Sequence, residues 1–388
     1  MRQILEDLTG LKLAKIADGD DVFGFDIGQP VGEVLPAARE RLKQVGSNSH
    51  AYGYQYGYGL HSLREQFCKR LAGKYNLACP VTPERVLVSR GSKPVFPSLA
   101  RIMLRPGDSA IVPSVGYAIH YDSVVKVGGN ALTYQCGPGV NVFDEILRVV
   151  DSAPYAKYLL INTPHNPTCI TVDSRFFPRL VERVKPLGMT IVVDMAYEDL
   201  VLSGSQATSI FEAEGTHDMP IIETHSMTKG HNIAGVGLIV GRQDLLCKLM
   251  KDMSDDGYGQ FLPLQFAAEA ALHDEEAVER NRDLYRGIDS LLTDGLNSIG
   301  WQAERTKATF YKWIQVPDGF TAEQLCFGLL EHANVSIWPE GGFTNGQPVR
   351  KPGERERVRF SMVETHERTS RAIEAMERFF KERPDLKQ

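Results

Sequence analysis

Six short apolar runs constrain this 388-residue chain more than anything else in it: residues 85–89, 109–113, 158–162, 189–193, 219–223 and 236–240, rich in valine and isoleucine. Apolar at nearly every position rather than at alternate ones, they read as strands buried on both faces. Crossovers of helical length join them, with helices expected over 95–104 and 175–184. Repetition of that kind builds an α/β fold around a mostly parallel sheet flanked by helices. Ligands of such sheets gather outside the carboxyl ends of the strands. Gly91, Ser92, Lys93, Tyr117, Asn166, Asp194, Tyr197, Ser226 and Lys229 each lie just beyond an expected strand end.

The segment 223–241 concentrates the chemistry. Its strand feeds a turn with Ser226, Thr228 and Lys229, and Gly230, Gly235 and Gly237 let backbone approach a bound group closely. A lysine amine beside a phosphate cradle suits Schiff-base formation with a carbonyl compound. Alone, the segment also reads as a surface turn with a solvated lysine. Gly91-Ser92-Lys93 at a helix start offers free backbone N–H groups and the positive end of a helix dipole to a phosphate. A tyrosine and glycine ladder over 52–59 reads as a ligand-contact loop or as a plain aromatic turn. Asp18, Asp20 and Asp21 read as a solvated turn first and as a face for a cationic substrate second.

A net charge of −6 with both signs scattered gives no footprint for nucleic acid or a membrane surface, so a small-molecule partner is expected. No apolar run has membrane-spanning length and the N-terminus is charged, which points to the cytoplasm. Six widely spaced cysteines without a CxxC pair favour reduced thiols and no metal site. Beyond residue 265 the pattern changes to a long helix, expected over 275–296, and an α+β alternation that closes on a helix over 368–383. The chain is therefore divided into an N-terminal arm joining a small domain (1–45), a large ligand-binding domain (46–265) and a linking helix with the smaller α+β domain (266–388).

Taken together, Tyr54…Gly59…Leu63-Arg64, Gly91-Ser92-Lys93, Tyr117-Ala-Ile-His, Asn162-Thr-Pro-His-Asn-Pro-Thr, Asp194-Met-Ala-Tyr197, Ser226-Met-Thr-Lys229 and Val358-Arg359-Phe-Ser resemble, in order, the motifs of the class I and II aminotransferases. These are pyridoxal-phosphate enzymes of fold type I, and the likeness is strongest to the alanine and LL-diaminopimelate aminotransferase branch. The resemblance implies that Lys229 forms the Schiff base and moves the proton, that Asp194 pairs with the pyridine nitrogen, and that Asn166 and Tyr197 bind the cofactor's phenolate oxygen. It implies that Tyr117 stacks on the ring, and that Gly91, Ser92, Lys93 and Ser226 hold the phosphate with Tyr54 of a second subunit in a homodimer. Arg359 would grip the substrate carboxylate, with Gly28 and Asn166 nearby. The family's phosphate-binding arginine is replaced by Gly237, for which Arg90, Lys93 or His231 would compensate, and Cys169 replaces a glycine. A pyridoxal-phosphate eliminase or cyclase on a substituted amino acid, such as hydroxyarginine, is the alternative activity.

Overall fold

The computed structural model of the chain describes residues 2–55, 57–204, 206–257, 259–344 and 354–382. Tyr56 of the tyrosine ladder and Arg383, the expected end of the closing helix, lie outside them. The described strands are β1 (Phe23–Gly24), β2 (Val86–Ser89), β3 (Ser109–Pro113), β4 (Asn130–Tyr134), β5 (Tyr158–Asn162), β6 (Thr190–Asp194), β7 (Ile221–Ser226), β8 (Gly237–Gly241), β9 (Tyr311–Gln315), β10 (Val335–Ser336), β11 (Trp338–Pro339) and β12 (Arg357–Ser361). Strands β2 to β8 form one seven-stranded sheet in the order β2-β8-β7-β6-β5-β3-β4, in which β8 runs against both its neighbours and the other pairings are parallel.

The continuous apolar runs end up buried on both faces. Ile111, Leu159, Ile161, Ile191, Val193 and Ile221 pack on one side, and Ala110, Val112, Leu160, Val192 and Ile222 on the other. Each valine, leucine or isoleucine among them contributes about 1.5–3 kcal/mol on burial. The run expected at 219–223 starts its ladder at Ile221, because Pro220 has no N–H to give and serves only as acceptor for Ile191. Strand β4 was not expected from the sequence: it is the sheet edge, with only Tyr134 fully buried, so it lacks the apolar run. Helices Pro36–Gly46, Val142–Ser152 and Gln243–Asp255 also add to the expected set.

The three-stranded antiparallel sheet β11-β12-β9 and the parallel pair β1-β10 build a smaller α+β lobe with helices Glu275–Ser298, Ala322–Ala333 and His366–Glu382. Helix Ala322–Ala333 starts at a Thr321–Gln324 capping box and stops at Asn334, whose left-handed φ of 56° ends the helical path. The first 45 residues split between the lobes. Leu8, Phe23 and Phe25 join the small core, whereas Leu35 and Ala38 join the large one. The segment between them crosses from lobe to lobe over the carboxyl ends of the sheet. Asp21 pairs with Arg368 and Arg371, and Asp20 with Lys15, so the acidic turn is a surface feature of the small lobe.

One small-lobe lysine is fully buried. Lys312 Nζ lies 2.6 Å from Asp289 and 2.8 Å from both Thr293 Oγ1 and the Glu304 carbonyl. Asp289 also accepts from the Thr306 N–H at 3.1 Å, so this pair fixes the loop before β9. Replacing Lys312 by Met leaves a buried carboxylate without its cation and should cost about 3–5 kcal/mol, read as a lower urea midpoint. Lys312→Met combined with Asp289→Leu should recover more than half of that loss. A single variant as stable as wild type contradicts this account.

Candidate active site

Strand alternation places the chemistry. Asn162, Asp194, Thr224 and Ser226 share the face of Leu160, Val192 and Ile222, at the carboxyl ends of β5, β6 and β7, where Asn162 is in register with Asp194 and Asp194 with Thr224. Asp194 Oδ1 accepts from the Ala196 N–H at 3.1 Å and from Thr224 Oγ1 at 3.3 Å, while Oδ2 lies 3.0 Å from His120 Nε2. His120 is buried on helix Ala118–Lys126, edge-on to Phe96 at 4.5 Å and to Tyr117 at 5.8 Å. His120 closes the Tyr117-Ala-Ile-His motif, but the sequence alone assigns it no task. Its orientation toward Asp194 depends on the helix packing against the sheet.

Lys229 sits in the four-residue helix Met227–Gly230, too short to stand alone. Tertiary contacts hold it. Ser226 Oγ accepts from the Thr228 N–H at 3.3 Å, Asn281 Nδ2 donates to the Gly230 carbonyl at 2.7 Å, and a Cβ at Gly230 would lie 2.5 Å from Asp199 Cβ. Lys229 Nζ donates to the Gly28 carbonyl at 2.7 Å, on the segment that crosses between lobes. Burial, helped by the Arg359 cation and opposed by Asp194, lowers its amine from the usual 10.5 to about 8.

Arg359 projects from β12 into the same cleft. Nη1 donates to Asn166 Oδ1 at 2.9 Å and Nη2 to the Asp26 carbonyl at 2.5 Å, while Nε has no partner. Its guanidinium lies over Tyr311, Phe343 and Trp338, at 4.2, 4.5 and 5.2 Å from their ring centres. Among the described residues no carboxylate pairs with Arg359 or with Lys229. Tyr197 OH lies 2.8 Å from Tyr311 OH, and Lys229 Nζ lies 5.7 Å from the centre of the Tyr197 ring. Tyr311, to which the sequence alone assigns no role, therefore meets both Tyr197 and Arg359.

Gly237 is in register with Ser226 on one side and Ser89 on the other. A Cβ there would lie 2.5 Å from the Gly91 carbonyl carbon, and Ser89 Oγ donates to the Gly91 carbonyl at 2.7 Å. The position is therefore closed by the Gly91 turn, whose φ of +85° requires glycine, and is not an open seat for a charge. That turn leads through Ser92 and Lys93 to helix Val95–Met103, with the Ser92 carbonyl accepting from the Val95 N–H at 3.1 Å. Arg90 departs from its expected place. Its guanidinium lies about 3.0 Å from where a Cβ on Gly257 would be, in a groove with Met250, Met253 and Ser254, rather than joining the cluster around Lys229. Neighbouring strand residues face opposite ways, and Arg90 follows a chain that turns at Gly91. His231 lies near Asp199 at 3.5 Å, under the Lys229 helix, where burial lowers it to about 4; it carries no charge there to offer a phosphate. Cys169 adopts the left-handed φ of 61° that a glycine would take for less, its thiol held 3.2 Å from the Tyr311 carbonyl. Tyr117 stands at the N-cap position of its helix, 37% exposed, and Tyr54 is 68% exposed.

Three comparisons with known proteins bear on the chain as a whole. The profile of the family described as aminotransferase class I and II matches residues 20–376. The glutamate-pyruvate aminotransferase AlaC of Escherichia coli is 31% identical over 96% of this chain and 90% of its own length, and an LL-diaminopimelate aminotransferase of Moorella thermoacetica is 30% identical over 93% and 91%. Substrate-bound BacF from Bacillus subtilis shares the fold with a TM-score of 0.86, at 25% identity over 96% of this chain and 93% of that one.

The Lys229 environment makes a direct prediction. In the ligand-free protein, labelling of Lys229 by a small amine-reactive reagent should rise with pH around a midpoint near 8. Arg359→Gln removes a cation that disfavours the ammonium form, so the midpoint should move up. Mass spectrometry of the Lys229 peptide measures both, and an unchanged midpoint in Arg359→Gln contradicts the electrostatic account.

Proposed function

Since the chain belongs to the class I and II aminotransferases, which work with pyridoxal phosphate, we propose how its own residues divide the transfer of an amino group between an L-amino acid and a 2-oxo acid. The observation that carries the division of labour is the pair of cations in one cleft, part-buried Lys229 and buried Arg359, with no carboxylate partner among the described residues.

The residues fit the cofactor. A part-buried amine held by one carbonyl is free to react with an aldehyde, the Gly91 turn has open space where a Cβ would be, and Arg359 keeps a buried N–H without a partner among the described residues. Bound pyridoxal phosphate supplies an aldehyde that condenses with amines and a ring that takes up the electron pair released at the substrate α-carbon. Lys229 provides the amine and, once released, carries the proton at Nζ; at about 8 its pKa leaves a useful neutral fraction near pH 7 to 8. Asp194, fixed by His120, Thr224 and the Ala196 N–H, presents its carboxylate to the ring nitrogen. Asn166 has its carbonyl oxygen occupied by Arg359, so its amide N–H is left for the ring oxygen, which Tyr197 also serves. Tyr117 supplies the stacking face. Backbone N–H groups after Gly91 and the Ser226 hydroxyl hold the phosphate. Arg359, with two of its five N–H donors already used, orients toward the substrate carboxylate.

Glutamate, with pyruvate as acceptor, and LL-diaminopimelate are the substrates to try first, because related enzymes are named for them. The similarity to aminotransferases along nearly the whole chain favours transamination over elimination or cyclisation of a substituted amino acid. Single amino acids added without a 2-oxo acid should shift the cofactor absorbance once and release one equivalent of 2-oxo acid, and Lys229→Ala should abolish this. Continuous ammonia release would overturn the reading.

A cytoplasmic, reducing setting suits the six free cysteines, and no described helix is long and apolar enough to cross a membrane. The enzyme acts as a homodimer in this reading. Tyr52, Tyr54, Leu42 and Phe261 are exposed beside helices Pro36–Gly46 and Leu262–Ala271, an apolar face suited to a second copy. Sedimentation should give a dimer at assay concentration, and Tyr54→Phe should weaken cofactor affinity without changing that mass. A fully active monomer, or an unchanged affinity in Tyr54→Phe, contradicts the dimer with a shared site.

A further inference from the structure

Several contacts of the site meet on Tyr311. Its hydroxyl lies 2.8 Å from that of Tyr197, and its ring is the nearest of the three that clamp Arg359, at 4.2 Å. A Cβ on Gly28 would fall on the same hydroxyl, so the backbone that accepts from Lys229 is packed directly against it. Its own backbone is held in place. Thr306 Oγ1 donates to its carbonyl at 2.9 Å, and its N–H donates to Thr309 Oγ1 at 3.1 Å. Strand alternation sends Lys312 to the opposite face, where the Asp289 pair anchors it.

A hydroxyl has one proton to donate. If Tyr197 spends its proton on Tyr311, none is left for a ligand. With the reverse order, Tyr311 to Tyr197 to ligand, each bond polarises the next. Burial holds Tyr197 well above the ordinary phenol value and also raises Tyr311, so both keep their protons at neutral pH.

We propose that Tyr311 is a positioning residue with two separable duties: its hydroxyl donates to the Tyr197 oxygen and so directs the Tyr197 proton at the cofactor's ring oxygen, and its ring holds the Arg359 plane for the substrate carboxylate. This rests on the roles given above to Tyr197 and Arg359. The chemistry fits a ligand oxygen that carries charge, because a charged acceptor draws the chain of protons in one direction.

Tyr311→Phe removes the hydroxyl and keeps the ring. Pyridoxal phosphate titrated into the apo form should bind about three- to tenfold more weakly, the value of one hydrogen bond. The pH midpoint of the bound cofactor's visible band should move up, since a weaker donor stabilises charge on the ring oxygen less. The amino-acid KM should stay within about twofold of wild type, whereas Tyr311→Leu should also raise KM about tenfold by freeing Arg359. In a Tyr197→Phe background, Tyr311→Phe should add nothing further to affinity or midpoint. Affinity and midpoint both unchanged in Tyr311→Phe, an effect of full size in the Tyr197→Phe background, or the same KM in the Leu and Phe variants overturns the proposal. Borohydride reduction followed by peptide mapping separates the two levels. Label absent from Lys229 in the wild type overturns the site assignment itself, whereas label on Lys229 with Tyr311→Phe silent overturns the role of Tyr311 alone.

Discussion

Two cations withdrawn from water in one cleft, with no carboxylate partner among the described residues, set the terms for the rest of the structure. Taking an ammonium and a guanidinium out of water costs several kcal/mol each after relaxation. The protein offsets this with neutral oxygens, from Gly28 and Asp26 on the crossing segment and from the Asn166 side chain, and with the faces of Tyr311, Phe343 and Trp338. Aromatic faces contribute up to about 2 kcal/mol to a desolvated cation. What they leave over is positive potential, which favours an anionic cofactor and an α-carboxylate and keeps the Lys229 amine easy to deprotonate.

The opposite face of the same strand shows that this is a local choice. In β7, Glu223 and His225 point away from Asp194 and form a fully paired network. His225 lies 2.6 Å from Glu198 and 3.1 Å from Glu223, and although burial pulls its pKa down, the two carboxylates hold it up at about 10. Lys74 and Arg70 neutralise Asp199, which packs under Gly230. This network forms a rigid floor for the short Lys229 helix, whose own four residues could not hold it.

Much of the fold was legible because buried strands announce themselves: β3 and β5 fall where the apolar runs do, β2, β6 and β8 within one residue of them, and β7 two residues later at its start and three at its end. Strand β4 was not, since an edge strand with one exposed side carries no continuous apolar signal. The helix Pro36–Gly46 was missed because its apolar stripe is narrow, with Ala38 its one buried residue. The placement of Arg90 could not be read either. Sequence gives its distance along the chain from Gly91, but the direction of its side chain is decided by a turn at positive φ.

The sequence by itself determined six of the seven large-sheet strands along the chain, the residues at their carboxyl ends, and the likeness that names Lys229, Asp194 and Arg359 together. Tertiary structure alone decided which hydrogen bond each of them makes. His120 reaches Asp194, Tyr311 reaches Tyr197, and Gly28 reaches Lys229 across 74, 114 and 201 residues of chain. It also decided that Gly237 is closed by the Gly91 turn. The physical reason is the range of the forces. Burial patterns are local and repeat every two or 3.6 residues, so they are written in the sequence. Hydrogen bonds and cation–ring contacts act over about 3–6 Å between distant segments, and exist only once packing has brought those segments together.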